Sequence, residues 1–270
     1  MKALLFHQTG EPNSVLKLEE IPTPSVAPGE ALVRVLLSPI NASDLHMVRG
    51  RYGYQPELPA SPGIEAVGVV EALGPGVHAP AVGSRVVFVG TWQTWREQVV
   101  CSADKLVPVP DCLDDSTAAT SYINPLTAWA LTRSAHNLQT GDWLLQTAAA
   151  SSVGKFVLQL AQQYQFKTIN VIRRREQETI IRHLGGNEVL CTADEDLTAR
   201  LQALTGGKGV ERAVDCVAGE LGAEVARNLA PAGTMLVYGA LSSHRQTDPA
   251  KFLMPLFAPR LIYSTATVRG

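Results

Sequence analysis

The sequence predicts an α/β protein of two domains, a mostly β domain first and a doubly wound parallel sheet after it. Three observations carry that prediction. Up to about residue 120, short aliphatic runs are separated by proline and glycine breaks. From residue 143 onward, strand-like runs alternate with helical runs, the rhythm of right-handed βαβ units. The first strand-to-helix turn of that series, residues 147–154, consists almost entirely of small residues. The boundary is placed so that residues 1–120 form the first domain and residues 121–270 the second.

Taken in order, Met1 to His7 is a short apolar stretch that reads as a strand. Pro22, Pro24, Pro28 and Gly29 break the chain before a Val- and Leu-rich strand over residues 30–38. Residues 41–50 read as a short helix, with Asn41 or Ser43 as N-cap and Gly50 as its stop. Strands follow over residues 63–73, 85–89 and 95–101, and residues 120–135 read as a linking helix. In the second half, strands are expected at 143–147, 168–172, 188–190, 211–216 and 234–238. Helices are expected at 153–164, 176–184, 196–204 and 221–229. In the first of these helices Val153, Phe156, Val157, Leu160, Ala161 and Tyr164 repeat at helical spacing. A last strand is expected over residues 260–268.

Composition narrows the function classes. The 270 residues are 46% hydrophobic and 18% charged, which excludes intrinsic disorder. The net charge of −2 supplies no basic excess for nucleic-acid binding. No apolar run reaches the roughly 18 residues of a membrane-spanning helix. Cys101, Cys112, Cys191 and Cys216 form no C-x-x-C pair, so neither a zinc ribbon nor a thioredoxin motif is expected, and four cysteines in so long a chain make no disulfide framework. That usage fits a reducing compartment, and the expected location is the cytoplasm. The opening apolar stretch is too short for a signal peptide's core.

The chemistry centres on the turn after the first strand of the parallel sheet. In such folds a dinucleotide's pyrophosphate sits against free N–H groups at a helix N-terminus. Here the turn runs Thr147-Ala148-Ala149-Ala150-Ser151-Ser152-Val153-Gly154. Against the G-x-G-x-x-G spacing only Gly154 is kept, and Ala149 and Ser151 stand at the other two glycine positions. Small side chains still let the backbone approach a phosphate, so Ala150, Ser151, Ser152, Val153 and Gly154 are candidate cofactor residues. The alternative is a tight turn with no ligand. Nineteen residues beyond Gly154, where an acid would bind a ribose 2′-hydroxyl, stand Arg173, Arg174 and Arg175. Guanidinium groups suit a 2′-phosphate, which points to NADP(H); the alternative is a solvated basic patch. Tyr238, Gly239, Ala240 and Leu241 follow a strand's carboxyl end, the edge that faces the ligand crevice in an open α/β sheet.

With these features placed, the chain resembles the medium-chain dehydrogenase/reductase superfamily, and within its zinc-free branch the 2-enoyl thioester reductases. The resemblance rests on residues 166–173 (FKTINVIR), 50–59 (GRYGYQPELP), 124–128 (NPLTA) and 233–239 (GTMLVYG), and runs along essentially the whole chain. It implies a GroES-like first domain and a Rossmann second domain. Zinc-dependent relatives carry a cysteine and a Gly-His-Glu where this chain has Asn41-Ala42-Ser43-Asp44 and Gly63-Ile64-Glu65, so a thiolate and an imidazole are missing. His7 and His46 remain, and read as structural or solvent-facing.

The resemblance implies NADPH-dependent reduction of an enoyl-CoA or enoyl-ACP. Tyr52 is implied as the group that hydrogen-bonds the thioester oxygen or delivers the proton, with Tyr54 as its rival; apart from the family, a tyrosine in such a loop reads as packing or surface. Asn124 is implied to hold the nicotinamide or ribose, its alternative role being a helix cap. Trp92 and Trp95 read as packing. Relatives continue past the equivalent of Arg269-Gly270 into a cofactor-touching segment and a return to the first domain, which this sequence is expected to lack. Two other readings stand beside the reductase: a quinone oxidoreductase, and a non-catalytic NADPH-binding protein. Finally, a terminal strand at the sheet edge would leave unpaired N–H and C=O groups. Related reductases are usually homodimers, so a homodimer is expected with residues 261–267, from Leu261 through Thr267, at the contact.

Overall fold

The computed structural model describes residues 1–244, 246, 248 and 252–270. The chain divides into two compact units, Met1–Ile123 and Asn124–Gly270.

In the first unit, β1 (Lys2–Leu5) and β2 (Lys17–Glu20) pair antiparallel around the one-turn helix α1 (Pro12–Val15). Strands β3 (Glu30–Leu37), β4 (Val67–Leu73), β5 (Arg85–Phe88), β6 (Gln98–Ser102) and β7 (Leu106–Pro108) form an antiparallel sheet in the order β6-β3-β4-β5-β7. Side chains alternate across a strand, so Ala31 and Val33 of β3 turn inward onto Val70, Val86 and Val99. Helix α2 (Ala42–Val48) starts at Asn41, whose N–H donates to the Asp44 carboxylate at 2.7 Å, which settles the N-cap on Asn41 rather than Ser43. Strands β4 and β6 start later than expected because Thr94 and Trp95 donate instead to the carbonyls of Gly63 and Pro62, outside the sheet. Strands β2 and β7 and helix α3 (Asp115–Ala119) had no separate signal among the charged and proline-rich residues around them.

Helix α4 (Ile123–Trp129) passes into a wider π-type turn over Ala130–Ala135. The second unit then alternates β8 (Trp143–Gln146), α5 (Ser152–Tyr164), β9 (Lys167–Ile172), α6 (Glu178–His183), β10 (Glu188–Cys191), α7 (Leu197–Thr205), β11 (Val210–Asp215), α8 (Gly219–Arg227) and β12 (Leu229–Val237), ending in α9 (Ala258–Ser264) and β13 (Thr267–Arg269). The six strands are parallel throughout, in the order β10-β9-β8-β11-β12-β13. Strand order reverses between β8 and β11, which opens a crevice at their carboxyl ends. Leu145 is buried with Ile169, Val171, Leu190, Ala213 and Met235, and Leu144 with Val157, Ala161 and Val214. Truncating either leucine to alanine would cost about 2–5 kcal/mol.

The terminal segment corrects the expectation of one strand over 260–268. Two neighbouring parallel strands need a crossover between them, and α9 is its described helix, with Pro259 in its first turn. Leu261 to Ser264 therefore lie on a helix, Thr265 ends it in the left-handed region (φ 53°), and only Thr267–Arg269 pair with β12. Ile262 and Tyr263 are exposed helix residues, not members of a sheet ladder.

Candidate active site

The turn between β8 and α5 is set by backbone geometry. Ala148 adopts a positive φ of 47°, which its small side chain tolerates. The N–H of Ala149 donates to the carbonyl of Val171 in β9, and Ala149 is fully buried. Ser151 is the N-cap of α5: its hydroxyl accepts the N–H of Gly154 at 3.2 Å. At residue 154 a Cβ would lie 2.3 Å from the carbonyl oxygen of Ala149. Only glycine permits that approach of the helix start to the turn, at the place of the third glycine in a dinucleotide fingerprint. Ser152 and Val153 occupy the first positions of the thirteen-residue helix, where N–H groups have no intrahelical acceptor. With Ala150 beside them, they present small side chains and helix-terminal donors, which fits a pyrophosphate.

The segment from Tyr238 through Leu241 lies at the carboxyl end of β12. The N–H of Tyr238 donates to Asp215 O (2.8 Å) and that of Leu241 to Cys216 O (2.8 Å), while Gly239 packs on Cys216. Burial raises the pKa of Tyr238, Cys216 and Asp215 push the same way, and a bond with Ser151 opposes them. Tyr238 is thus a neutral hydroxyl at the end of β12. Burial also raises the pKa of Cys216 and keeps it a thiol.

The three arginines after β9 are not equivalent. Arg175 bonds both oxygens of Asp194 (3.1 and 2.6 Å) and pairs with Glu178 and Glu195. Arg174 pairs with Glu176 at 3.1 Å. Arg173 is exposed and pairs with no acid among the described residues. Its backbone N–H, like that of Arg174, points at Gln177 Oε1. Nothing in the sequence separated Arg173 from its neighbours, because Asp194 and Glu195 are brought to Arg175 only by the fold.

In the first unit, Tyr52 lies on an irregular segment between α2 and β4. Its ring meets Trp92 edge-on at 6.1 Å, whereas Tyr54 stacks on the same indole at 4.5 Å. Both tyrosines are exposed, at 36% and 40%. Trp92 is packed against the cluster of Phe6, Met47, Val48, Ala60 and Ile64, so it anchors the segment. Next to that cluster, Glu65 is buried and accepts the Asn41 amide and the Ile123 N–H, both at 2.9 Å. Burial raises its pKa against those two bonds. Asp44 is fully buried, with Oδ1 lacking a hydrogen-bond partner among the described residues. Burial, aided by the Glu65 charge, pushes its pKa up to about 7. Asn124 is the second residue of α4, not its cap. Among the described residues no three His, Cys, Asp or Glu side chains come together as a metal-ligand group.

Two family models match the chain: the alcohol dehydrogenase GroES-like domain over residues 27–111, and the zinc-binding dehydrogenase over residues 152–270. The mitochondrial enoyl-[acyl-carrier-protein] reductase of Xenopus tropicalis is 37% identical over 94% of this chain and 74% of its own length. That of Mus musculus is 35% identical over 94% of this chain and 69% of its own. The chain belongs to the medium-chain dehydrogenase/reductase superfamily. Solved members of the superfamily superimpose closely. A Bacillus thuringiensis protein provisionally named an NADPH:quinone reductase gives a TM-score of 0.91 at 36% identity, over 99% of this chain and 78% of its own. The Escherichia coli quinone oxidoreductase complexed with NADPH gives 0.89 at 27% identity, over 99% and 80%. The superfamily's two parts correspond to the antiparallel sheet and the six-stranded parallel sheet described above.

Proposed function

We propose that this protein is an NADPH-dependent reductase of activated C=C bonds whose substrates are 2-enoyl thioesters on CoA or an acyl carrier protein. The observation that carries this reading is the likeness to enoyl-[acyl-carrier-protein] reductases along almost the entire chain. Fold alone does not decide it, since the same architecture serves quinone reductases.

Ala150 to Gly154 hold the pyrophosphate, Arg173 meets the 2′-phosphate, and Asn124 and the loop from Tyr238 through Ala240 and Leu241 bound the rest of the cofactor. Arg175, spent on Asp194, Glu178 and Glu195, fixes the loop rather than the ligand. When bound, NADPH supplies a hydride for Cβ of the substrate. Tyr52 donates its O–H to the thioester carbonyl oxygen as enolate charge builds there, or delivers the proton that Cα needs. Tyr54 is committed to stacking on Trp92, which favours Tyr52 for the chemistry.

The domain division for this function places substrate chemistry on the first unit and the cofactor on the second. Four free cysteines fit a reducing compartment such as the cytoplasm, and the two relatives above are named mitochondrial. A homodimer remains the expected assembly, now through the free edge of β13 rather than through residues 261–267. Light scattering should give about twice the 28.9 kDa chain mass, and a monomer mass would contradict it.

The quinone reading is favoured by the structural neighbours. Steady-state NADPH oxidation with enoyl thioesters of several lengths against a simple quinone separates the two. Turnover of thioesters supports the proposal; turnover of the quinone alone replaces it. Saturable NADPH binding with neither turnover leaves a non-catalytic binding protein.

A further inference from the structure

We propose that Asp215 is a positioning residue for the cofactor crevice and acts through the hydroxyl of Thr147. The inference rests on the reading that the turn after β8 holds NADPH. Asp215 ends β11, beside the point where strand order reverses, and is fully buried. Its Oδ1 accepts the Thr147 hydroxyl at 2.5 Å and the Val217 N–H at 3.0 Å, and its Oδ2 accepts the Ala218 N–H at 2.8 Å. The Thr147 hydroxyl in turn accepts the Cys216 N–H at 3.1 Å. One carboxylate and one hydroxyl thus clamp the first residue of the cofactor turn to the loop after β11.

Backbone bonds extend the clamp to a third loop. The N–H groups of Tyr238, Leu241 and Ser242 donate to the carbonyls of Asp215, Cys216 and Val217. Three loops at the carboxyl edge therefore take their positions from the end of β11.

The local backbone carries the mark of such a constraint. Ala218 stands at φ 56°, ψ −151°, a conformation ordinarily left to glycine. It persists because Asp215 Oδ2 holds its N–H. Gly222, in the first turns of α8, leaves room for the carboxylate: a Cβ there would lie 2.6 Å from Oδ2. An end-of-strand residue with only a packing role needs neither a buried carboxyl nor this set of donors, and an apolar side chain would leave those donors unpaired.

Thr147→Val removes the hydroxyl at nearly constant shape, and Thr147→Ser restores it. NADPH binding to the full chain is read by fluorescence, with circular dichroism and a thermal melt as the folding control. Thr147→Val should raise the NADPH Kd about tenfold while the spectrum stays that of the unaltered chain, the scale of one lost buried hydrogen bond. Thr147→Ser should return the Kd to within about twofold, because the clamp is a hydroxyl and not a methyl contact. Asp215→Asn should raise the Kd at least as far where it folds, and the threonine pair decides where it does not. An unchanged Kd in Thr147→Val, or a serine variant as weak as the valine one, overturns the proposal while NADPH binding by the unaltered chain stands. No NADPH binding by the unaltered chain overturns the cofactor reading, and this inference with it.

Discussion

The turn after β8 and the segment carrying Tyr52 are both short, irregular stretches, yet they are held in different ways. The first is fixed by its backbone: Ala149 bonds to β9, Ser151 caps α5, and Gly154 meets the Ala149 carbonyl with no space for a Cβ. The second is fixed by rings, with Tyr54 stacked on Trp92 and Tyr52 set edge-on with its ring exposed. Their buried acids differ in the same sense. Asp215 accepts three donors, whereas Asp44 leaves Oδ1 without a partner among the described residues. On the proposed reading, the first would hold a cofactor chiefly through backbone donors set by the turn. The second would act through a single exposed hydroxyl.

The largest effect is expected at Gly154. Gly154→Val should abolish NADPH binding and disrupt the second unit, because the side chain would collide with the Ala149 backbone in the turn before α5; circular dichroism and a binding titration read it. Native helicity with wild-type affinity would mean that the helix does not pack as described. Next comes Tyr52→Phe, which should lower kcat on enoyl thioesters by roughly 10²-fold, the scale of a lost oxyanion or proton donor. The Kd for NADPH should hold within a factor of about two, since the cofactor residues proposed above lie in the second unit. Loss on Tyr54→Phe instead would move the role two residues along the chain.

Asp44 gives a pH-dependent contrast. Its carboxyl is raised from an ordinary 3.8 to about 7 in the folded chain. The native state therefore binds more protons than the unfolded state between those values, and stability falls as pH rises from about 4 to about 7. Asp44→Asn should flatten that slope and raise the melting temperature at pH 8, with an effect on the order of 1–3 kcal/mol. An unchanged slope would remove Asp44 as its source. The smallest effect belongs to Arg173→Ala, expected to raise the KM for NADPH about tenfold and that for NADH hardly at all. Equal changes for both cofactors would sink the 2′-phosphate assignment.

The second unit was legible because each strand and helix carries its own period, and because α5 shows its cap, its glycine and its apolar stripe over residues 151–164. Its last element was not legible. Residues 260–268 are rich in branched and aromatic side chains, but the need for a crossover between parallel strands is a property of the sheet, and it turned Leu261 to Ser264 into a helix. The tight turn before α5 could be read from spacing, whereas the pairing that sets Arg175 apart from Arg173 depends on acids about twenty residues away. Asp215 could have been singled out as an acid closing an otherwise apolar strand end, Ala213-Val214-Asp215. Its partner Thr147 lies 68 residues earlier in the chain and becomes its neighbour only when β8 and β11 pair.

Hydride addition to Cβ of an enoyl thioester is the reaction proposed for this chain. The most direct test is to supply NADPH deuterated at the transferable position of its nicotinamide together with crotonyl-CoA, and to locate the label in the product by NMR and mass spectrometry. The expected product is butanoyl-CoA with one deuterium at C3 and a solvent-derived proton at C2. Unreacted crotonyl-CoA, under conditions where the same deuterated cofactor is consumed with a quinone, would contradict it.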